Sequence, residues 1–175
     1  LEFRRVLFRS YLPRHPRAGW PHIAHQLLAG GDDAATPDVV ADLLDEASTV
    51  IKTPELAHLF TDDALAEVDI TAELPRLSGQ RIHGTIDRFV VTPDRVLAVD
   101  FKSNHKVPAS PQEVPDGILR QMGAYLAALG QIYPDRKIDI AILWTRTATL
   151  MPLAHDSVNA ALSLALHLDD PRPHP

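Results

Sequence analysis

Three charged residues, Asp87, Asp100 and Lys102, are spaced so that they could share one site on a β-hairpin. Two apolar segments, residues 84–91 and 96–103, flank a Pro-Asp turn, and this pattern predicts a hairpin. Side chains two residues apart in a strand share a face, so Asp100 and Lys102 project together. We expect Asp87 to join them from the neighbouring strand. Two carboxylates beside one ammonium are costly to place on an apolar hairpin, and a divalent metal would stabilise them.

This combination is suited to metal-dependent hydrolysis of a phosphodiester bond. Two aspartates supply the hard oxygen ligands that Mg²⁺ prefers. The metal would polarise the phosphate and activate a water molecule, while Lys102 would orient that water and stabilise the developing charge. Taken singly, each residue has an ordinary explanation. An Asp-x-Lys pair is a common surface salt bridge, and Asp87 alone would be a surface residue near a turn.

Gln121 and Tyr125 are the next candidates, because they are four residues apart beside the apolar stripe of a predicted helix. One interpretation is a pair at the helix boundary whose polar tips reach water, and the residues alone favour it. The other is that the helix packs beside the hairpin, so that the amide and the phenol touch a phosphate backbone or the strand end.

The elements that must position these residues follow from the periodicity of the apolar residues. Helices are predicted at residues 21–29, 36–51, 53–60, 117–129 and 156–168, and strands at residues 68–74, 84–91, 96–103, 138–144 and 149–153. Thr36 and Thr53 are candidate N-caps, each followed by a proline at the first helical position. The order of elements predicts a mixed α/β domain with one central sheet flanked by helices.

Composition limits the functional classes. The chain has 175 residues, enough for one domain, and 45% of them are apolar. It contains no cysteine, which excludes disulfides, zinc–thiolate sites and an iron–sulfur cluster. No segment approaches the roughly 18 apolar residues of a membrane span, and no signal peptide is evident. We therefore expect a cytoplasmic protein without membrane contact.

The net charge of −6 is unfavourable for a nucleic-acid partner, although residues 81–106 carry five Lys or Arg against three Asp, a local charge of +2. So small an excess does not hold DNA tightly, because affinity follows the number of phosphates neutralised. We expect the main DNA contact to lie elsewhere in a larger assembly, and metal ions to supply part of the local positive field.

The first ten residues differ in character from the rest of the chain. Residues 1–10 resemble a translated sequencing adapter, so we treat them as non-native and exclude them from the fold. Residues 11–168 are predicted to form a single domain that is truncated at its N-terminus. Residues 169–175, which include three prolines, are predicted to be a disordered tail.

Three segments carry a family resemblance. The sequences GTIDR at 84–88, VDFKS at 99–103 and QMGAY at 121–125 resemble the core motifs of the PD-(D/E)XK nuclease superfamily, in its RecB-like branch. Within that branch, residues 120–129, 132–134 and 141–145 are similar to the nuclease domain of the AddA family of helicase–nucleases, alphaproteobacterial type. The resemblance covers about residues 11–168.

The resemblance implies the restriction-endonuclease-like PD-(D/E)XK fold and exonuclease-type cleavage of DNA that depends on Mg²⁺, or on Mn²⁺ in its place, in double-strand-break repair and recombination. It implies that Asp87 and Asp100 bind the metal, that the Phe101 carbonyl adds a ligand, and that Lys102 serves the catalytic water. Gln121 and Tyr125 correspond to the family's Gln-x-x-x-Tyr element. The implied partners are DNA, an upstream helicase domain of the same protein, which would hold the ATP site, and an AddB-like subunit.

One departure from the family pattern concerns a metal-binding histidine. RecB-like nucleases open with a helix that carries this residue, and its motif is expected where residues 1–10 now stand, so we expect weak metal binding or poor cleavage. His25 copies the motif superficially but belongs to the following helix. We expect His83 and His105 to be exposed histidines at strand ends and Glu67 to have a structural role. Two alternatives remain: an inactive nuclease fold that binds DNA or acts as a scaffold, and a generic interaction domain whose acidic pair is coincidental.

Overall fold

Five strands form one mixed sheet in the order β1-β2-β3-β4-β5. They are β1 (Leu65–Leu74), β2 (Gln80–Val91), β3 (Arg95–Lys102), β4 (Lys137–Trp144) and β5 (Thr149–Pro152). β1, β2 and β3 pair antiparallel, β3 and β4 pair parallel, and β5 returns antiparallel to β4. A parallel neighbour requires a crossover connection, which here is a helix. The predicted mixed sheet flanked by helices is confirmed.

Four α-helices accompany the sheet in this computed structural model, which describes residues 19–28, 36–75 and 79–168. They are α1 (Trp20–Leu28), α2 (Pro37–Lys52), α3 (Asp116–Ile132) and α4 (His155–Leu168). The segment predicted as a short helix before β1 is a 3₁₀ helix, Pro54–Leu59. Thr36 and Thr53 stand at the two predicted N-cap positions, but neither hydroxyl caps its helix.

β1 has the alternation expected of a strand with one solvated face. Ile70 and Leu74 are buried, whereas Asp69, Thr71 and Glu73 between and beside them are exposed. The strand ends immediately before a proline, which has no N–H to donate to a ladder. The period-2 pattern therefore predicted both this strand and its buried face.

The sheet separates two clusters of buried residues. α3 and α4 cover one face and enclose the first core, which includes Val96 and Ala98 of β3. α1, α2 and the 3₁₀ helix cover the other face and enclose the second core, which includes Val99 and Phe101. β3 is therefore buried on both faces, as strands in parallel pairs generally are.

Several sequence-based predictions fall outside the described residues. They concern residues 1–10, the tail at residues 169–175, and residue 29, the last of the first predicted helix. None of the helices in the described ranges is both long enough and apolar enough to cross a membrane.

Candidate active site

The carboxyl ends of the parallel strands β3 and β4 and the facing part of β2 form one end of the sheet, which is its site edge. Asp100 and Lys102 lie at the carboxyl end of β3, where Lys102 is in register with Trp144 of β4. The antiparallel ladder pairs Arg88 with Val99, so continuing the same register places Asp87 opposite Asp100. The carboxyl ends of parallel strands are where open α/β sheets place their sites.

The structure brings the two carboxylates and the ammonium together at this edge. The Nζ of Lys102 lies 2.5 Å from Oδ2 of Asp100. The backbone N–H of Phe101, which lies between these two residues, donates a hydrogen bond of 2.6 Å to Oδ2 of Asp87. Asp87 is 0% and Asp100 2% exposed, and the side chain of Lys102 is 12% exposed. The site is therefore a nearly buried group of charges.

Gln121 of α3 connects the ion pair to the helix. Its Oε1 accepts a hydrogen bond of 3.1 Å from Nζ of Lys102, and its Nε2 donates to Oδ1 of Asp100 at 3.1 Å. An ammonium can only donate, so the contact with Lys102 fixes which end of the amide faces the lysine. Gln121 thus bonds both members of the ion pair, Lys102 through its amide oxygen and Asp100 through its amide nitrogen.

Tyr125 anchors this amide to β2. Its hydroxyl accepts a hydrogen bond from Nε2 of Gln121 at 3.0 Å and donates one to the carbonyl of Thr85 at 3.0 Å. The residue is only 4% exposed. The two side chains are therefore bonded to one another and to the hairpin, and they are more than a boundary pair whose tips only reach water. In line with the second interpretation, α3 packs beside the hairpin: the amide of Gln121 reaches Asp100 and Lys102 near the end of β3, whereas the phenol contacts Thr85 in the middle of β2.

Gly84 makes room for this tyrosine. A Cβ atom added at Gly84 would lie 2.8 Å from Cε1 and 3.0 Å from the hydroxyl oxygen of Tyr125. Carbon atoms pack at about 3.5–4.0 Å, so no larger residue fits here without moving the ring. The glycine that opens the GTIDR segment is thus explained by the close approach of α3 to β2.

A cleft of about 560 Å³ opens beside the group of charges. It is lined by Ile82, His83, Gly84, Thr85, Asp100, Gln121, Ala124 and Tyr125. The cleft gives a ligand access to Asp100 and to the polar ends of Gln121 and Tyr125, although the aspartate itself is nearly buried.

Among the other predicted candidates, His83 helps to line the cleft, whereas His105 does not. His83 is exposed and its Nδ1 is 2.7 Å from the Thr71 hydroxyl, while His105 is exposed on the loop after β3. The side chain of His25 lies outside the described residues. Glu67 is exposed and its backbone is left-handed, with φ 53°. Across the described ranges, no three His, Asp or Glu side chains are grouped closely enough to hold a metal ion.

The two aspartates nevertheless suit a hard divalent cation. Asp87 and Asp100 are nearly buried carboxylates at one site, and a buried carboxylate is stable only with a cation or hydrogen-bond donors beside it. Mg²⁺ is commonly held by one or two carboxylates, with water and substrate phosphate completing its shell. Asp87 and Asp100 fit that requirement, and the Phe101 carbonyl stays a predicted ligand.

One polar contact at the same edge was not anticipated from the sequence. Thr145, which directly follows β4, is buried, and its hydroxyl donates to Oε1 of Glu46 at 2.5 Å. The hydroxyl oxygen of Thr145 also lies 3.4 Å from the carbonyl oxygen of Lys102. α2 is thereby tied to the ends of β3 and β4. A polar residue directly after a buried apolar strand was the available sequence signal.

Comparison with known proteins places the chain in a family. The sequence model of the PD-(D/E)XK nuclease superfamily matches residues 8–160. No curated protein matches the chain. Sixteen chains of solved structures match it. One of them is the crystal structure of SSO0001, which has 16% sequence identity and a TM-score of 0.37. The match covers 97% of this chain and 77% of the chain in that structure.

Proposed function

The chain belongs to the PD-(D/E)XK nuclease superfamily, and we propose that it hydrolyses phosphodiester bonds of DNA with Mg²⁺, or with Mn²⁺ in its place. Members of this superfamily are generally metal-dependent nucleases. The proposal assigns Asp87 and Asp100 to metal binding, with the Phe101 carbonyl as a further ligand, and Lys102 to catalysis.

One observation carries the proposal. The carboxylate of Asp87 accepts a hydrogen bond from the backbone N–H of Phe101, the residue between Asp100 and Lys102. Asp100 and Lys102 form an ion pair beside an open cleft. A surface salt bridge would leave its carboxylate exposed, and such pairs contribute little to stability. Here both carboxylates are buried at the edge of the sheet, where a structural role alone would be served equally well by apolar side chains.

The contacts of the side chains support the roles proposed for them. A bound divalent ion polarises the phosphate and lowers the pKa of a coordinated water. Lys102 can orient the attacking water through its ammonium and stabilise negative charge that develops on the phosphate. Gln121 holds the ammonium on one side and Asp100 on the other. The Tyr125 hydroxyl accepts a hydrogen bond from the Gln121 amide and is itself held in place by its bond to the Thr85 carbonyl.

We extend the proposal to the biological setting. The similarity of residues 120–129, 132–134 and 141–145 to AddA-type nuclease domains supports a role as the nuclease module of a helicase–nuclease in double-strand-break repair and recombination. The proposed partners are DNA, an upstream helicase domain that binds ATP, and an AddB-like subunit, in the cytoplasm. Helicase motifs in frame upstream of residue 11 in the gene would support this setting, and an unrelated upstream sequence would contradict it.

The enzymatic proposal is tested by cleavage of linear single-stranded and double-stranded DNA with Mg²⁺ or Mn²⁺. The wild-type chain is compared with Asp100→Asn, which keeps the shape of the side chain and removes its charge. Asp156→Asn is the matched control, because Asp156 is exposed in the first turn of α4. We expect cleavage by the wild type and the control, and loss of about 10³-fold or more in Asp100→Asn, as for removal of a group that acts on the transition state.

Equal cleavage by all three proteins would contradict the proposal. Absence of cleavage in the wild type, with DNA binding retained in a gel-shift assay, would favour the alternative of an inactive nuclease fold that binds DNA. Absence of both would favour a scaffolding or interaction domain.

A further inference from the structure

Glu67 of β1 has a backbone conformation that is unusual for its residue type. Its φ of 53° lies in the left-handed region, which residues other than glycine rarely adopt and which asparagine and aspartate tolerate better than glutamate. The rest of β1 pairs regularly with β2 on both sides of this residue. Isolated strain of this kind persists where the surrounding structure enforces it, and it is concentrated at functional sites.

The strained residue lies directly across the ladder from Asp87. β1 and β2 are paired at Ala66 with Arg88 and at Val68 with Ile86, and the ladder skips Glu67 and Asp87 between these two pairs. The register is the same on either side of the gap. The interruption therefore lies at the metal-binding candidate, with no residue inserted in either strand.

The same point is where the side chains of β2 change faces. Ile86 and Phe89 both pack in the first core although they are three residues apart, and strict alternation would put them on opposite faces. The guanidinium of Arg88 lies 5.2 Å from the ring centre of Phe60 on the side of the second core. The change of face therefore falls between Ile86 and Arg88, at Asp87, and alternation counted back from Arg88 and Phe89 assigns Asp87 to the first-core face.

This break determines which face carries the Asp87 carboxylate. Asp100 shares its face of β3 with Ala98, which packs in the first core. Had β2 continued regular alternation from Ile86, Asp87 would have faced the second core, away from Asp100 and from Gln121. With alternation counted from Arg88, and with the β2–β3 register continued from Arg88 and Val99, Asp87 and Asp100 are assigned to the same face of the hairpin.

We propose that the left-handed backbone of Glu67 is a positioning device for Asp87: it twists the β1–β2 ribbon so that this carboxylate faces Asp100 and reaches the N–H of Phe101. The proposal rests on the proposed function, in which Asp87 binds the metal. It assigns the effect to the backbone conformation of Glu67, and the substitutions below test this against an effect of the carboxylate.

Three substitutions distinguish the effect of the Glu67 backbone conformation from the effect of its side chain. Glu67→Gly removes the strain, because glycine adopts positive φ without a Cβ clash. Glu67→Gln removes the charge and keeps the backbone preference. Glu67→Val strongly disfavours positive φ, because its side chain is β-branched. Glu73 supplies the matched control on the same strand, since it is an exposed glutamate in regular register with Arg81.

Thermal unfolding without metal tests the backbone requirement. At position 67 we expect the Gly variant to be at least as stable as the wild type, the Gln variant to be close to it, and the Val variant to be less stable. At position 73 we expect the reverse order for Gly and Val, because a regular strand favours β-branched residues and disfavours glycine. The same order of Gly and Val at both positions would overturn the proposal.

A double-substitution cycle in the same metal-free assay tests the link to Asp87. If Glu67→Val already displaces the carboxylate from the Phe101 N–H, Asp87→Ala, which removes the acceptor, changes stability less in that background than in the wild type. The effects of Glu73→Val and Asp87→Ala should be additive. Additivity at position 67 would show that the strain does not act through Asp87, and it would overturn the proposal whether or not the chain cuts DNA.

Calorimetric titration with Mn²⁺ supplies the functional measurement. We expect about tenfold weaker binding in Glu67→Val, comparable with loss of a group that orients a ligand, and unchanged binding in Glu67→Gly and Glu67→Gln. Weaker binding in Glu67→Gln would assign the effect to the carboxylate and contradict the proposal. A wild-type chain that neither binds Mn²⁺ nor cuts DNA would contradict the proposed function, while the unfolding cycle would still decide whether Glu67 positions Asp87.

Discussion

The ring of Tyr125 rests against the backbone of Gly84, so that a Cβ atom at this glycine would lie 2.8 Å from Cε1 of the ring. The contact joins α3 to β2 three residues before Asp87. From there, hydrogen bonds run from the Thr85 carbonyl through Tyr125 to Gln121 and on to Asp100. The packing of one aromatic ring therefore sets the distance between the helix and the hairpin that together form the site.

Gly84→Ala should disturb this contact and reduce cleavage. The methyl group displaces the Tyr125 ring and with it the amide of Gln121, and overpacking of this kind costs about 1–3 kcal/mol of stability. Gly130→Ala is the control, because nothing lies within 4 Å of a Cβ at Gly130, which is near the end of α3. It should stabilise the helix by about 0.5–1 kcal/mol. Chemical denaturation and cleavage assays measure both effects, and an equally active Gly84→Ala variant would show that the ring does not position the site.

Gln121 and Tyr125 should act as one unit. Tyr125→Phe removes the bond to the Thr85 carbonyl and the acceptor for Gln121, at a cost of about 1 kcal/mol. Gln121→Ala removes the contacts to Lys102 and Asp100 and should lower cleavage further. Because the two side chains are bonded to each other, the effects of the two substitutions on cleavage should be less than additive in the double variant. Full additivity would show that they contribute separately, for example through independent contacts with DNA.

Lys102→Met should lower stability as well as activity. It leaves the Asp100 carboxylate, which is 2% exposed, without its cation, and breaking a buried pair from one side costs about 3 kcal/mol or more. The double variant Asp100→Asn with Lys102→Met removes both charges and should recover most of that stability while remaining inactive. Recovery of activity together with stability would contradict the catalytic role of Lys102. Denaturation midpoints and single-turnover cleavage distinguish these outcomes.

The sequence predicted the hairpin and its charged residues because their geometry is local. The shared face of Asp100 and Lys102 follows from the period of two in β3. The turn before β3 sets the register that places Asp87 opposite Asp100. The β1 pattern with Ile70 and Leu74 buried is equally local, since each strand needs only one apolar face. The order of the elements was enough to predict a sheet flanked by helices.

The long-range contacts were beyond sequence periodicity. Whether Gln121 reaches water or Lys102 depends on how α3 docks on the sheet, and helix periodicity does not specify docking. The contact of Thr145 with Glu46 joins residues 99 positions apart. The left-handed Glu67 has no sequence signal, because glutamate gives no indication of positive φ. Each of these features is set by tertiary packing that overrides local preference.

Divalent cations should raise the unfolding temperature of the chain without DNA. Asp87 and Asp100 are brought together only in the folded state, and a ligand that binds only that state stabilises it by about 2.7 kcal/mol at a hundred times its dissociation constant. For a domain of this size that is a shift of roughly 5–10 °C. A chelator should reverse it, and Asp87→Asn and Asp100→Asn should each abolish it, whereas Asp156→Asn should not. Calcium tests binding apart from cleavage, because it takes the same oxygen ligands. A shift that persists in both aspartate variants would place the cation elsewhere and contradict the assignment of Asp87 and Asp100 to metal binding.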